Sequence, residues 1–73
     1  MRDQIIDHIG RQVRKVRKAK GITQIALADE LQVAQSKISR IERGVFSPTI
    51  KDLEAIADVL GVSVVDLMRQ KAA

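Results

Sequence analysis

Residues 23–43, Thr-Gln-Ile-Ala-Leu-Ala-Asp-Glu-Leu-Gln-Val-Ala-Gln-Ser-Lys-Ile-Ser-Arg-Ile-Glu-Arg, with Gly44 behind them, decide how the rest of the chain is read. Thr23 is a helix N-cap, Gln24 to Leu31 form a short helix, and Gln32-Val33 make a turn. A second helix, Gln35 to Arg43, stops at Gly44. On a helical projection Gln35, Ser36, Ser39, Arg40 and Arg43 share one polar arc, and Ile38 and Ile41 lie opposite its centre. One face therefore packs and the other stays free. Gln, Ser and Arg are side chains that hydrogen-bond base edges, so a strip of this kind suits the major groove of DNA.

Upstream, a long helix is predicted from about Asp3 to Lys20, with Gly21 just past its end. Ile5, Ile6, Ile9, Val13 and Val16 fall on one stripe, while Arg11, Arg14, Lys15 and Lys18 fall opposite. Arg17 lies at the edge of the apolar stripe, an odd place for a charge without a partner. Gly10 interrupts the helix at a cost of about 1 kcal/mol relative to Ala, and sequence alone assigns it no role.

Downstream, two further helices carry clear start signals. Thr49 with Asp52, and Ser63 with Asp66, are variants of the capping box, and Gly61 closes the fourth helix. Ile50, Leu53, Ile56, Ala57 and Leu60 are expected to line the fourth helix's apolar face. Val64, Leu67 and Met68 share one face of the fifth, and Val65 points elsewhere. Ile22 with Leu27, and Val62 with Leu67, have the spacing of hydrophobic staples. The prediction is an all-α, compact five-helix domain occupying residues 1–73, with the helix-turn-helix at 23–43.

Composition narrows the function. Seventy-three residues make one domain, and a domain of that size buries only about 60% of its unfolded surface. Without cysteine it has no disulfide or thiolate metal site, so stability must come from helix packing, a partner subunit, or both. Between Arg11 and Arg43 nine Lys or Arg face three Asp or Glu, whereas from Phe46 to Ala73 three face four. Positive charge gathered in one segment suits a polyanion. No Ser/His/Asp set, Gly-rich phosphate loop or cluster of metal ligands is present, and His8 is a single histidine. We therefore expect neither enzymatic activity nor a cofactor nor a metal. No apolar run approaches the ~20 residues of a membrane span and no signal-peptide pattern opens the chain, so a cytoplasmic location is expected.

With these residues in view, the stretch from about Ile9 to Met68 resembles the Cro/phage-repressor type of helix-turn-helix domain, the lambda-repressor-like fold. The matching pieces are Ile9-Gly10, Val13-Arg14 and Arg17; Lys20-Gly21-Ile22-Thr23-Gln24 leading to Leu27-Ala28; Ile38-Ser39-Arg40-Ile41-Glu42-Arg43-Gly44; Ser47-Pro48; and Leu60-Gly61-Val62-Ser63. The resemblance implies a sequence-specific transcriptional regulator, binding a roughly palindromic operator as a homodimer with the third helix in the major groove. It implies base contacts from Gln35, Ser36 and Arg40, with Ser39 as a further candidate. Backbone phosphates would be met by Gln24, at a helix N-terminus, and by Arg43 and Lys37. Arg17 and Glu42 resemble a structural ion pair tying the first helix to the end of the third.

Departures from the family pattern are informative. Gln32 stands where glycine is common, which leaves either a less relaxed turn or a left-handed Gln32. Ala34 stands where Ser or Thr usually caps the third helix; it either leaves the helix without a side-chain cap or serves as a contact to a thymine methyl. Val65, Met68, Phe46 and Ile6 are candidate dimer-interface residues. An alternative role is an antitoxin or adaptor whose main partner is another protein, such as a toxin, and which autoregulates its operon. The few residues after the last helix, Arg69 to Ala73, favour the stand-alone regulator.

Overall fold

The computed structural model describes residues 2–69, and its helices begin and end where side chains can satisfy free backbone groups. Helix α1 spans Arg2–Ala19, α2 Gln24–Leu31, α3 Gln35–Glu42, α4 Ile50–Leu60 and α5 Val64–Met68. α1 lies one residue earlier at each end than its sequence pattern suggested. Its last turn tightens, because the Lys20 amide is shared between the Val16 and Arg17 carbonyls before Gly21 turns the chain. α3 ends at Glu42, with Arg43 as its C-cap. No helix among the described residues is long and apolar enough to cross a membrane.

Each helix contributes to one core. Ile9 and Val13 come from α1, Leu27 and Ala28 from α2, Ile38 and Ile41 from α3, Leu53, Ile56, Ala57 and Leu60 from α4, and Leu67 from α5. Ile5, Ile22, Val62 and Val64 pack around its margin. α1 runs across α3, α4 and α5, while α2 bridges α3 and α4. Ile50 departs from expectation. It is 61% exposed, because it is the first residue of α4 and sits at the edge of that helix's apolar arc.

The α1–α3 crossing explains Gly10. A Cβ at that position would run into the backbone carbonyls of Ile41 and Glu42, so the two helices approach closely only because position 10 lacks a side chain. One turn after Val13, Arg17 is buried against the same end of α3. Its Nε donates to Glu42 Oε2 at 2.6 Å and its Nη2 to Glu42 Oε1 at 3.0 Å, while Nη1 donates to the Ile22 carbonyl at 2.7 Å. Both side chains are less than a tenth exposed. The guanidinium thus fixes three things together: α1, the loop entering α2, and the end of α3.

The α2–α3 turn uses a left-handed residue. Gln32 has φ 56° and ψ 44°, which settles the alternatives left by the sequence. A non-glycine residue in this region costs about 1–2 kcal/mol. The geometry is held by two backbone bonds, from the Gln32 amide to the Asp29 carbonyl and from the Val33 amide to the Ala28 carbonyl. α4 and α5 both start with complete capping boxes, Thr49 with Asp52 and Ser63 with Asp66. Asp52 does a second job by accepting from the Lys37 ammonium at 3.0 Å, which ties α3 to the start of α4. Burial pushes the Asp52 carboxyl up, but the Thr49 amide and hydroxyl and the Lys37 ammonium outweigh it and hold the group below its ordinary value. The Ser63 amide and hydroxyl lower Asp66 in the same way.

Three outcomes follow from these contacts. Helix propensity alone would make Gly10→Ala stabilising by about 1 kcal/mol. The carbonyl collision reverses the sign, so thermal denaturation is expected to show a loss of about 1–3 kcal/mol. Arg17→Met or Glu42→Gln alone strands a buried polar partner and should cost about 3–5 kcal/mol, while the double substitution should recover most of that loss. Because both Asp52 and Asp66 are lowered in the folded state, the stability they contribute is present above the unfolded value of about 3.8 and is lost as pH falls through the folded values. Asp52→Asn is therefore expected to lower the melting temperature at neutral pH and to flatten its decline under acid conditions.

Candidate nucleic-acid interface

α3 is amphipathic in a way that separates anchoring from exposure. Ile38 and Ile41 are almost wholly buried, whereas Gln35, Ser36 and Arg40 are exposed and Ser39 is half-buried beside them. Ala34, the N-cap position, is exposed, has extended backbone (φ −70°, ψ 145°), and makes no side-chain cap bond. The start of α3 thus has no side-chain cap, and the small methyl leaves room for a ligand to approach it. Arg43 is exposed at the opposite end.

The N-terminus of α2 lies beside that surface. Thr23 caps it, accepting from the Ala26 amide at 3.0 Å. The next residue, Gln24, is half-buried and reaches two residues of α3: its Nε2 donates to Glu42 Oε1 at 3.0 Å, and its Oε1 accepts from Gln35 Nε2 at 3.3 Å. The structure therefore brings Arg17, Glu42, Gln24 and Gln35 into one chain of hydrogen bonds, running from the buried end of α3 to the exposed tip of the helix. The sequence pairs Arg17 with Glu42 but carries no signal linking that pair to Gln24. Contacts between residues 18 and 11 positions apart depend on how α2 crosses α3.

Two of the expected site residues are engaged within the fold. Lys37 does not stand with the exposed strip. Its position on the helix is on the far side from the polar arc, and its ammonium is paired with Asp52 and lies 5.6 Å from the centre of the Phe46 ring. Phe46, in turn, is half-buried, packing against the core and under that cation. The other dimer candidates stay accessible to different degrees. Val65 is 61% exposed and Met68 37% exposed on α5, and Ile6 is half-buried on α1. α5 is held to α1 by His8, whose Nε2–H donates to the Arg69 carbonyl, and by Gln12, which donates to the Asp66 carbonyl. The loop between α3 and α4 also exposes the apolar side chain of Val45.

Electrostatically, the interface sits within the basic part of a chain of net charge +4. Arg40 on α3 and Arg43 at its C-cap stand exposed, and neither is among the ion pairs of the described residues. A basic, hydrogen-bonding helix face beside a helix N-terminus can take up phosphates at its edge and read bases at its centre.

Similarity to known proteins agrees with this geometry. The chain is 34% identical over 56 residues to the immunity repressor protein of Bacillus phage phi105, an alignment covering 77% of this chain and 39% of that protein. It is 41% identical over 64 residues to the transcriptional regulator SinR of Bacillus licheniformis, covering 86% of this chain and 58% of SinR. The chain thus spans between about two-fifths and three-fifths of the length of these relatives. Its structure superposes on SinR, the master regulator for biofilm formation, crystallised in complex with DNA, with a TM-score of 0.78 and 40% identity, covering 84% of this chain and 98% of that one. The sequence pattern of the HTH_3 helix-turn-helix family matches residues 13–67, which run from the middle of α1 to the buried leucine of α5, and the chain belongs to that family.

Proposed function

We propose that this protein is a sequence-specific DNA-binding transcriptional regulator of the cytoplasm, and that it binds a roughly palindromic operator as a homodimer. The observation that carries the reading is the exposed Gln35-Ser36-Arg40 surface of α3, anchored from behind by Ile38 and Ile41 and flanked by Gln24 at the start of α2. Gln35 has the groups to pair with adenine and Arg40 those to pair with guanine O6 and N7, while Ser36 can bond to several bases. Ser39 and the Ala34 methyl border the same surface, and Gln24 and Arg43 reach for the phosphates on either side. Lys37, already engaged by Asp52, holds α3 in place. The likeness to SinR, whose structure was solved in complex with DNA, supports the DNA-binding reading.

Two copies would place their α3 helices in successive major grooves, with half-sites about one helical turn apart. Val65 and Met68 on α5, with Ile6 on α1, supply the apolar surface for that pairing. Burying that surface against a second copy would add to the stability of a domain whose own core is small.

Selection of bound sequences from a random pool, followed by anisotropy titrations on the winner and on a scrambled duplex, tests the assignment. Gln35→Ala and Arg40→Ala are each expected to weaken operator binding by about tenfold to a hundredfold with little effect on scrambled DNA. Gln24→Ala should weaken binding to both duplexes, because its phosphate contact is independent of sequence. Equal losses on both duplexes for Arg40→Ala would assign that side chain to phosphate and contradict its role as a base reader.

A further inference from the structure

The amides of Gln24 and Gln35 offer donors or acceptors according to which way each is turned. In this protein a buried group removes that freedom. The Glu42 carboxylate, clamped on both oxygens by Arg17, can only accept. Gln24 must therefore turn its nitrogen inward, and Nε2 donates to Glu42 Oε1 at 3.0 Å. That turn aims the Gln24 carbonyl oxygen at the tip of α3, where it accepts from Gln35 Nε2 at 3.3 Å. Gln35 is left showing its own oxygen and its second N–H.

We propose that Glu42, which is buried two turns along α3 from Gln35, is a positioning residue for base specificity: through Gln24 it sets the hydrogen-bonding polarity of Gln35. An acceptor beside a donor complements N6–H and N7 of adenine. With the relay reversed, Gln35 would turn its oxygen toward Gln24 and point both N–H donors outward, toward groups such as the N7 and O6 acceptors of guanine. The same relay leaves the second Nε2 hydrogen of Gln24 free for a phosphate. The ion pair that fastens α1 to α3 thus also decides which base the exposed glutamine accepts. This inference rests on α3 being the base-reading helix.

The test begins with the sequence that the wild-type protein selects. The base pair read by Gln35 is the one whose preference disappears in Gln35→Ala. At that pair the wild type should favour adenine over guanine by about tenfold or more. Gln24→Met keeps the ion pair but cuts the relay, and Arg17→Met with Glu42→Gln replaces the acceptor-only carboxylate by an amide free to turn. Both variants should bring the adenine-to-guanine ratio to within about twofold of unity. A variant that loses overall affinity while keeping the wild-type ratio overturns the relay. A second measurement does not depend on any variant folding. In the free wild-type protein, one side-chain amide proton of Gln24 should be shifted downfield and exchange more slowly than those of the exposed Gln32. Coincident signals for the two residues would overturn the proposal. A pool that yields no enriched sequence overturns the functional reading, whereas enrichment with an unchanged ratio in Gln24→Met overturns only the relay.

Discussion

A guanidinium and a carboxylate held out of water organise this domain. Arg17 and Glu42 are each costly to bury alone, and together they are acceptable only because every polar group on them finds a partner: two bonds between them, the Ile22 carbonyl on one side and Gln24 on the other. Those partners belong to α1, to the loop before α2, to α2 itself and to the last turn of α3, so satisfying the pair sets the mutual placement of three helices. Gly10 permits the arrangement by letting the backbones of α1 and α3 approach closely. A side chain there would hold the helices apart and pull the carboxylate off the guanidinium.

This constraint matters because α3 cannot hold itself. Eight residues are too few for an isolated helix to persist in water. It lacks a side-chain cap at Ala34 and follows a turn in which Gln32 adopts a left-handed backbone. Both features work against local stability, and both lie next to the surface that we assign to DNA. Compensation comes from elsewhere: Ile38 and Ile41 in the core, Glu42 on Arg17, and Lys37 on Asp52. Anchored along one side and at both ends, the helix can leave its other face without intramolecular partners, apart from the single contact of Gln35 with Gln24.

Much of the fold was legible from residue types alone. Thr23, Thr49 and Ser63 mark helix starts, glycines mark most of the ends, and the isoleucine and leucine spacings separate buried faces from exposed ones. These signals are local, and local chemistry decides them. What stayed hidden depends on distances between helices. Gly10 makes sense only once α3 is seen pressing on α1. Lys37 was expected at the phosphates from the family pattern, whereas its place on the helical wheel, away from the polar arc, already pointed toward α4. Phe46 could have faced solvent, a partner or the core, and the Lys37 cation above its ring and the core beneath it account for its position. Of the candidate site, the exposed strip on α3 was readable by periodicity. The polar chain from Arg17 to Gln35 was not, because no spacing rule links four residues on three helices.

The central claim is that DNA is met by the exposed side of α3 and the start of α2 while the remaining helices serve as scaffold. Titration of the isotopically labelled protein with an enriched duplex, followed residue by residue by NMR, addresses it most directly. The account predicts that the largest perturbations fall on Gln24, Ala34, Gln35, Ser36, Ser39 and Arg40, with the buried positions of α4 nearly unmoved. Perturbations concentrated on the basic side of α1, with α3 silent, would contradict it.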